Sequence, residues 1–566
     1  YYQPLQIRFA APPSFVYKPT AMKQLSLGLD FGTNSVRGLV VDCATGKELA
    51  SHVFHYPHGD AGIILDRKNV NLARQHPQDY LDGTVACVKA CLRKVKGADI
   101  VGIGVDTTGS TPLPVDENGT PLAFHKAFRK DPAALAWLWK DHTGFAEAEA
   151  ITATASAQRP HYLAKCGGKY SSEWFWSKIW HCAKESPAVF DAAHTWVEHA
   201  DWMAGVLTGT DHPRKLKRGI CAAGHKALFH ESWGGYPDEE FLSALDPKLA
   251  RVRRSLPNKA YNIADRAGTL TEDWAKKLGL RAGIPVAVGA FDAHLGGVGS
   301  GIRPGTLVKI VGTSTCDMMV APLADKLPDI PGLCGIVPES ILPGYYGLEA
   351  GQSAVGDIFN WFVRFSGQSH ETLTKGAEKL KPGESGLLGL DWHNGNRTIL
   401  TDQRLSGLVL GLTLHTTPAE IYRALVEATA FGARRIVERF EEYGVKAERV
   451  VNCGGISVKS TLVMQIYADV MNRPMEISRS AQTCALGAAM AGAVVGGAHP
   501  NFAEAAVAMT GTMKKKFLPN PKNVAIYERL YRQYRRLHDI HGTSAHSENL
   551  HDLMKELLTV RDEVRR

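Results

Sequence analysis

The sequence lacks the paired cysteine motifs that stabilise many small or extracellular folds. Ten of its 566 residues are cysteines, but none forms a C-x-x-C pair, and the closest two, Cys87 and Cys91, lie in a stretch with a helical pattern. This spacing excludes the usual cysteine-based zinc sites and disulfide frameworks. We therefore expect reduced thiols and a cytoplasmic protein.

The sequence also lacks an apolar run of the roughly 20 residues that a membrane-spanning helix needs. The nearest approach is ALGAAMAGAVVGG, from Ala485 to Gly497, whose small residues are typical of close helix packing. The formal net charge is only +8, and basic residues are mixed with acidic ones instead of forming a basic stripe. We therefore expect neither a membrane nor a nucleic acid as a partner.

The length of the chain indicates two large domains. A chain of 566 residues, 44% of them hydrophobic, exceeds what one hydrophobic core usually supports. Residues 1–21 precede Met22 and match neither a signal peptide nor a transit peptide, so we expect a leader or an expression remnant outside the fold. The polar segment PNKAYNIADRAG predicts a boundary. The predicted division is residues 22–265, residues 266–530 and a helical tail at residues 531–566.

The first informative stretch is LGLDFGTNSVRGLVVD, Leu27 to Asp42, which places one carboxylate between two alternating apolar runs. The alternation from Lys23 onwards predicts three antiparallel strands. A helical stretch and the buried run IVGIGVD, which ends at Asp106, follow. This order of strands and helices predicts an α/β fold.

The second half of the chain repeats the opening plan. GTLVKIVGTSTCDMMVA again gives a strand, a Gly-Thr turn and a strand, with Gly312 in the position of Gly32, which indicates an internal duplication. Such turns direct backbone N–H groups and hydroxyls into a concavity that suits phosphate oxygens. Asp30, directly before the first turn, is a candidate Mg²⁺ ligand because hard cations take oxygen ligands. A plain hairpin turn would explain the first motif alone, but not the repeat.

Two strand-end carboxylates are candidates for a general base. Asp292 follows the apolar run VAVGAF, where burial and a nearby metal would have opposite effects on its pKa. Phosphoryl transfer to an alcohol needs a group that orients and deprotonates the hydroxyl. Asp106 is the rival base, and either residue fits a strand-end cap equally well. The pattern of residues does not separate the two.

The remaining motifs suggest a binding cleft. CGGISVKS is not a Walker loop, because Val458 stands where that motif requires glycine, but Gly454 and Gly455 allow a ligand such as adenosine to approach the backbone. Lys226 and Glu349 lie among small residues and either point into a cleft or form a surface ion pair. The tryptophans of WLWKDH and EWFWSKIW are either core residues or walls of a sugar site, and they belong to an insertion at residues 137–256.

Taken together, these motifs resemble the FGGY family of carbohydrate kinases, and within it the ribulokinase group. The resemblance extends from about Lys23 to Glu528 in the family's order, although the family signature fits poorly near KIWHCAKE. It implies a two-domain actin-like, ribonuclease-H-like ATPase fold that binds ATP, Mg²⁺ and a sugar in the interdomain cleft, and a homodimer. The motifs that carry it include DFGTNSVRG, GVDTTGSTP, AAGHKALFH, GAFDAHLGG, VGTST, LEAGQSAVGD and DWHNGNR.

The resemblance also implies roles for individual residues. Asp292 would be the catalytic base, which decides against Asp106 by resemblance alone. Asp30 would hold Mg²⁺ through water, and Asp292 would share in this site. The expected sugar contacts are Gly109, Lys226, Asp292 and Glu349. The expected contacts with ATP are Gly32, Thr33, Asn34, Gly312, Thr313 and Ser314 for the phosphates, and Gly454, Gly455 and Lys459 for adenosine.

The reaction that the resemblance implies is transfer of the γ-phosphate of ATP to the 5-hydroxyl of ribulose, with L-ribulose as the expected isomer, in arabinose and other pentose catabolism. One alternative is a kinase for another pentulose or pentitol, such as xylulose or ribitol. Another is a non-catalytic protein that senses ATP or sugar. The presence of Asp30, Asp292 and both turns counts against a sensor, since a sensor needs no base.

Overall fold

The computed structural model describes residues 23–566, so the predicted leader at residues 1–21 lies outside the described residues. The strands of the first half are β1 (Leu25–Phe31), β2 (Ser35–Asp42), β3 (Glu48–His55), β4 (Ile64–Leu65), β5 (Ala73–Gln75), β6 (Ile100–Thr107), β7 (Pro112–Val115), β8 (Ala136–Trp137), β9 (Thr195–Glu198), β10 (Arg266–Thr269), β11 (Pro285–Ala287) and β12 (Ala290–Phe291). Its helices are α1 (Pro77–Leu92), α2 (Phe145–Gln158), α3 (Pro160–Ala164), α4 (Phe175–Glu185), α5 (Pro187–Ala192), α6 (His199–Thr208), α7 (Ile220–Ala227), α8 (Glu239–Leu245), α9 (Pro247–Arg254), α10 (Glu272–Leu278) and α11 (Asp292–Gly299).

The second half continues the alternation of strands and helices. Its strands are β13 (Thr306–Val311), β14 (Thr315–Pro322), β15 (Gly335–Pro338), β16 (Tyr345–Ala350), β17 (Leu388–Leu390), β18 (Leu408–Leu410), β19 (Arg449–Cys453) and β20 (Met475–Ile477). Its helices are α12 (Gly356–Ser366), α13 (His370–Glu378), α14 (Pro418–Glu442), α15 (Gly455–Lys459), α16 (Thr461–Met471), α17 (Thr483–Val495), α18 (Phe502–Met509), α19 (Pro521–Gly542) and α20 (Leu553–Arg565). None of the helices within residues 23–566 is long and apolar enough to cross a bilayer.

The first sheet has the strand order β10-β11-β6-β1-β2-β3, and β12 also pairs with β6. Strands β1, β2 and β3 are antiparallel neighbours, as the alternating pattern predicted, while β6 runs parallel to β1. Every residue of β1 is buried. This central position brings the carboxyl ends of β1 and β6 to the same edge of the sheet.

The second sheet repeats this plan in the order β15-β16-β14-β13-β19-β20. Strands β13, β14 and β16 are antiparallel neighbours, and β19 runs parallel to β13 as β6 does to β1. Each sheet therefore starts with a hairpin whose turn contains Gly-Thr. The internal duplication predicted from the second Gly-Thr motif is confirmed.

The two halves meet through α11 and α17. Helix α17 contains the small-residue run and lies directly on β1 and β6, where a Cβ at Gly28 would be 2.0 Å from the Ala485 carbonyl oxygen and a Cβ at Gly104 1.8 Å from that of Ala488. The Ser26 hydroxyl donates a hydrogen bond of 2.6 Å to the Ala489 carbonyl in the same contact. Glycine is needed at these strand positions because only glycine admits such a close helix.

The predicted insertion forms its own aromatic core. Trp137, Trp176 and Trp196 are each at most 1% exposed, and the rings of Trp137 and Trp196 pack edge to face with centroids 5.8 Å apart. For Trp137 and Trp176, which belong to the two motifs, the interpretation as core tryptophans is therefore confirmed. Trp174 is different, because its ring lies 5.4 Å from the Lys226 ammonium group and so reaches the candidate sugar site.

The division into domains stays a proposal, and the strand pairing suggests different limits. Because β10, β11 and β12 belong to the first sheet, we propose that the boundary predicted between residues 265 and 266 lies instead at residues 300–305. Helix α19 continues across the limit predicted at residue 530, and Tyr527 and Tyr534 pack in the second core. We therefore propose that the second domain includes the predicted tail.

Candidate active site

Three carboxylates meet at one edge of the first sheet. Asp30 on β1 stands opposite Asp106 on β6 in the strand register, and Ala290 on β12 pairs with Asp106 on the other side. Asp292 follows two residues later. Asp30 is 9% exposed and Asp106 is fully buried. The fold therefore brings together the predicted metal ligand and both rival bases.

The predicted strand-end position of Asp292 is confirmed, because Asp292 directly follows the buried strand β12, but the apolar run before it is not one continuous strand. Strands β11 and β12 are separated by Val288 and Gly289, and Asp292 is the first residue of α11. The strand breaks at a close contact, since a Cβ at Gly289 would lie 2.4 Å from the Ala200 carbonyl oxygen. As a result, the Asp292 carboxylate accepts a hydrogen bond of 2.6 Å from the Ala293 N–H at the start of a helix.

The electrostatics of this edge favour protonated carboxyls in the absence of a cation. Burial, together with the neighbouring Asp30, raises the pKa of Asp292 to about 7. Burial also raises the pKa of Asp106 well above its ordinary value, with Asp30 and Asp292 acting in the same direction. Burial raises the pKa of Asp30 too, although Arg37, 3.3 Å from its carboxylate, opposes the shift. A bound cation would relieve this repulsion.

The first Gly-Thr turn is held by side chains from distant segments. The Gly32 N–H donates to the Ser35 carbonyl at 2.9 Å, which closes the turn. Gln75 donates to the Thr33 carbonyl at 2.7 Å, and the Trp139 indole donates to the Thr33 hydroxyl at 3.1 Å. Sequence reasoning missed both partners as parts of the site, although WLWKDH was noted as a candidate wall.

Among residues 23–566, the hydrogen bonds that hold the second Gly-Thr turn, Gly312 to Ser314, come from backbone groups alone. Its Gly312 N–H donates to the Ser314 carbonyl at 3.0 Å. The N–H groups of Val355 and Gly356, at the start of α12, donate to the carbonyls of Thr313 and Gly312 at 2.8 and 3.1 Å. These carbonyls are occupied and Thr313 is exposed, so its N–H and hydroxyl are the groups of this residue that suit a phosphate oxygen.

The Gly-Gly segment lies next to the second turn. Gly454 has a φ of 91°, and a Cβ there would lie 2.5 Å from the carbonyl oxygen of Val311, the last residue of β13. A Cβ at Gly455, by contrast, would meet no atom within 4 Å in the part of the chain that the structure describes. Gly455 is exposed, so space for a ligand exists in front of it. Lys459 is exposed at the end of α15.

Lys226 and Glu349 form a buried ion pair that joins the two halves. The Lys226 ammonium on α7 lies 3.1 Å from both carboxylate oxygens of Glu349 on β16. The two residues are 8% and 6% exposed, so the alternative of a surface ion pair is wrong. Burial alone would lower the pKa of Lys226, but the Glu349 carboxylate outweighs it and raises that pKa.

Phe291 connects this pair to the carboxylate edge. Its ring lies 5.8 Å from the Lys226 ammonium, and it directly precedes Asp292. A Cβ at Gly109 would lie 2.7 Å from the Phe291 ring, so glycine is needed for the present packing. The structure thus gathers the predicted sugar contacts Gly109, Lys226, Glu349 and Asp292 around one aromatic ring.

Cys316 shows how close the second turn comes to this group. It lies two residues after Ser314, and burial raises its pKa to about 12, with smaller contributions from the carboxylates of Glu349 and Asp292. The strand that follows the second turn, β14, also pairs with β16, which carries Glu349. The candidate phosphate turn therefore lies close to the candidate sugar contacts.

Two buried histidines beside Glu349 were missed by sequence reasoning. His225 precedes Lys226 and His294 follows Asp292 by two residues, and their nitrogens lie 3.3 and 3.7 Å from one Glu349 oxygen. Burial lowers the pKa of His294 to about 4 and lowers that of His225 well below its ordinary value. Their place next to named residues was the only signal in the sequence.

A buried lysine positions the Gly109 loop. The Lys178 ammonium donates to the carbonyls of Ser110 and Leu138 at 2.8 and 2.9 Å, and burial lowers its pKa to about 7. Glu198 accepts a hydrogen bond of 2.9 Å from the Thr111 N–H on the same loop. The motif KIWHCAKE, which fitted the family poorly, thus begins with a residue that supports the candidate site.

The protein contains two duplicated sheets, each with a Gly-Thr turn after its first strand, and a carboxylate cluster lies beside one of these turns. These features define the class of protein. It is a two-domain enzyme with the actin-like, ribonuclease-H-like ATPase fold. The chain belongs to the FGGY family of carbohydrate kinases. The family's N-terminal domain matches residues 25–299 and its C-terminal domain matches residues 307–495. The resemblance noted in the sequence is confirmed.

The similar curated proteins include several ribulokinases. The ribulokinase of Geobacillus thermodenitrificans is 43% identical over 560 residues, which cover 94% of this chain and 97% of the relative. The ribulokinase of Halalkalibacterium halodurans is 43% identical over 558 residues, covering 94% and 96%.

Among solved structures, a xylulose kinase from Rhodospirillum rubrum aligns with a TM-score of 0.75 at 22% identity, covering 94% of this chain and 100% of that one. A gluconate kinase from Lactobacillus acidophilus aligns with a TM-score of 0.76 at 20% identity, covering 92% and 99%. At these low sequence identities, the two structures support the fold and nothing further.

Proposed function

We propose that this protein transfers the γ-phosphate of ATP to the 5-hydroxyl of ribulose, with L-ribulose as the expected isomer. The observation that carries the proposal is the position of Asp292, a carboxyl with a pKa of about 7 beside the buried Lys226–Glu349 pair. Full-length relatives named ribulokinase, at 43% identity, favour ribulose over other sugars.

Asp292 is the proposed general base. A base works best when its pKa lies near the operating pH, and a value of about 7 meets that condition. The Ala293 N–H fixes one carboxylate oxygen at 2.6 Å and leaves the other to accept the proton from the sugar hydroxyl. As that proton leaves, the sugar oxygen attacks the γ-phosphorus in line, the bond from this phosphorus to the β,γ-bridging oxygen breaks, and ADP leaves.

The carboxylate edge fits a magnesium ion. Asp30, Asp106 and Asp292 crowd together with raised pKa values, and oxygen ligands of this kind suit Mg²⁺. We propose that Asp30, with Asp292, holds the ion, as the family resemblance implied. When bound, Mg²⁺ neutralises charge on the phosphates.

The two turns are the proposed phosphate contacts. Gly32, Thr33 and Asn34 offer one set of N–H groups and hydroxyls, and Gly312, Thr313 and Ser314 offer the other. The open space in front of Gly455 supports an adenosine position beside the second turn, with Gly454 forming the bend and Lys459 nearby. ATP use itself agrees with membership of a kinase family.

The sugar is proposed to lie against Gly109, Lys226, Asp292 and Glu349. In the free protein, Lys226 and Glu349 pair with each other. A sugar that binds both residues must therefore replace part of this pairing with hydrogen bonds to its own hydroxyls. We expect closure of the two halves to exclude water and limit ATP hydrolysis. Scattering curves that stay unchanged when both ligands are added would contradict closure.

The deciding experiment measures ADP release with Mg²⁺ and ATP against L-ribulose, D-ribulose, both xyluloses, ribitol and glycerol, with Asp292→Asn as control. We expect Asp292-dependent turnover that is fastest with L-ribulose. A preference for xylulose or ribitol would replace the substrate but keep the kinase. Binding of ATP without turnover of any sugar would replace the enzyme with a sensor.

A homodimer and a cytoplasmic location remain expectations. Sedimentation of the purified protein and fractionation of cells test them. A monomer in sedimentation would remove the first expectation without affecting the proposed reaction.

A further inference from the structure

Three metal-binding groups meet beside the Lys226–Glu349 pair, and they are a different set from the carboxylates proposed for Mg²⁺. They are the imidazoles of His225 and His294 and the carboxylate of Glu349, whose ligand atoms all lie within 4.8 Å of one another. All three side chains are at most 8% exposed. They come from three different elements, α7, α11 and β16, so the fold has assembled the cluster.

The spacing of these atoms fits tetrahedral coordination. His225 Nδ1 lies 3.3 Å from Glu349 Oε2, and His294 Nε2 lies 3.7 Å from the same oxygen. Bonds of roughly 2.0–2.2 Å to zinc at tetrahedral angles separate neighbouring ligand atoms by about 3.4 Å. Both histidine-to-carboxylate separations are close to this value, and the two histidine nitrogens lie within 4.8 Å of each other.

The hydrogen bond at Nε2 of His225 leaves the lone pair on its Nδ1 available to a metal ion. Its Nε2 is 2.9 Å from the Ser340 hydroxyl, which itself donates to the Val337 carbonyl at 3.1 Å. The Ser340 oxygen therefore accepts from Nε2–H, and Nδ1 carries a lone pair that faces a carboxylate oxygen. A metal-ligating histidine is usually oriented by such a partner on its second nitrogen.

The imidazole nitrogens of this cluster that have no hydrogen-bond partner among the described residues also favour a metal site. His225 Nδ1 and both nitrogens of His294 have no hydrogen-bond partner among residues 23–566, although both side chains are at most 2% exposed. A Cβ at residue 335 would lie 2.0 Å from His225 Nδ1, so Gly335 keeps the space in front of that nitrogen free of a side chain. Buried polar atoms without a partner are costly and call for a ligand.

We propose that His225, His294 and Glu349 form a binding site for a divalent transition metal of the zinc class. Two imidazoles and one carboxylate are a zinc donor set and leave a fourth position for water or a substrate hydroxyl. Imidazole nitrogen is a poor ligand for Mg²⁺, so this site and the Asp30 site would select different ions.

The ammonium of Lys226 competes for the same carboxylate. Its nitrogen lies 3.1 Å from both oxygens of Glu349, so a bound metal must weaken this pair. Metal binding and the Lys226–Glu349 contact should therefore oppose each other. A consequence, which rests on the proposed sugar site, is that zinc competes with the sugar.

The test is isothermal titration of the full-length, metal-free protein with Zn²⁺, and Co²⁺ absorption as a second readout. We expect one equivalent to bind, with a Co²⁺ spectrum that lacks thiolate charge-transfer bands. His294→Phe should lower the affinity by more than the roughly 10- to 100-fold that loss of an outer-shell partner costs, and Ser340→Ala by about 10-fold.

Lys226→Met is the matched variant in the opposite direction. It removes a positive charge next to the ligating carboxylate and should raise the affinity about 10-fold or more. Misfolding cannot produce such a gain. Zn²⁺ affinity that is the same in the wild type, His294→Phe and Lys226→Met would overturn the proposal, as would thiolate bands in the Co²⁺ spectrum.

Sugar competition is measured separately, by repeating the Zn²⁺ titration with saturating L-ribulose. A weaker zinc affinity with sugar supports both the metal site and the sugar site. Unchanged zinc affinity with sugar, together with the expected effects of His294→Phe and Lys226→Met, supports the metal site and contradicts the placement of the sugar on Glu349.

Discussion

The two Gly-Thr turns have the same origin but are held in different ways. The first turn depends on side chains, because Gln75 and Trp139 fix Thr33 from segments 42 and 106 residues away. The second turn depends on backbone groups, because the start of α12 supplies N–H donors to Gly312 and Thr313. Duplication thus preserved the turn, while each half acquired its own support.

This difference suggests a division of labour. The first turn borders three carboxylates with raised pKa values and contacts Trp139 of the insertion, which also contains the proposed sugar contact Lys226. The second turn borders the glycines proposed for adenosine. Substitutions near the first turn should therefore alter chemistry, and those near the second should alter nucleotide binding.

The largest expected effect separates chemistry from nucleotide binding. Asp292→Asn should lower kcat by roughly 10²- to 10⁴-fold, the usual contribution of a general base, and leave ATP affinity within a few-fold of the wild type. Steady-state kinetics and nucleotide titration measure the two quantities. Near-normal turnover in Asp292→Asn would remove this residue as the base.

Asp106→Asn is the matched control for the rival base. Burial and the neighbouring carboxylates raise the pKa of Asp106 well above its ordinary value, which favours its protonated form, and asparagine has nearly the same shape and charge as that form. We expect Asp106→Asn to retain far more activity than Asp292→Asn. The reverse order would assign the base to Asp106.

The second effect concerns stability and pH. The pKa of Asp292 rises from 3.8 to about 7 on folding. Its contribution to stability is therefore full below pH 3.8 and is lost as pH rises through about 7. Relative to Asp292→Asn, the wild-type free energy of unfolding should fall by about 2–4 kcal/mol between pH 4 and pH 8.

Denaturant unfolding of both proteins without ligands measures this difference. Subtracting the two curves removes every titration that they share. A difference that does not change with pH would mean that Asp292 has an ordinary pKa in the folded protein.

A third experiment tests the backbone support of the second turn. A Cβ at Gly356 would lie 2.6 Å from the Gly312 carbonyl oxygen, so Gly356→Ala should push the turn away from α12. We expect a loss of about 1–3 kcal/mol in stability and weaker ATP binding. Arg364→Ala on the exposed face of α12 is the control, and an equal loss of ATP affinity there would refute the account.

The smallest expected effect concerns the side-chain support of the first turn. Trp139→Phe removes the indole N–H that reaches the Thr33 hydroxyl and should cost about 0.5–1.5 kcal/mol. Thr33→Val removes the other partner, and the double variant should cost less than the sum. Thermal unfolding of the four proteins measures the coupling, which strict additivity would disprove.

The predictable part of this molecule was local. Both turns, Asp30 and Asp292 follow from short motifs in which neighbours in the chain are neighbours in space. The sequence also predicted that Asp106 and Asp292 are the two candidates for the base. It did not predict the interruption between β11 and β12 at Gly289, because that interruption results from contact with Ala200 on another element.

The rest depends on contacts between distant segments. Glu349 meets Lys226 across 123 residues, and His294 joins them from a third element. The periodicity and spacing of residues along the chain do not predict such contacts between distant segments. The same holds for Gln75 and Lys178, whose hydrogen bonds to loop carbonyls depend on how the insertion packs against the first sheet.

The contact of α17 with β1 and β6 determines when the first sheet can complete its folding during synthesis on the ribosome. The glycine-lined face of the first sheet is covered by a helix that ends at Val495, almost 200 residues after α11. At about 5–20 residues per second, ribosomes take roughly 10–40 s to synthesise that interval. Until α17 emerges and docks, the face of the first sheet that it covers in the folded protein has no cover from this helix.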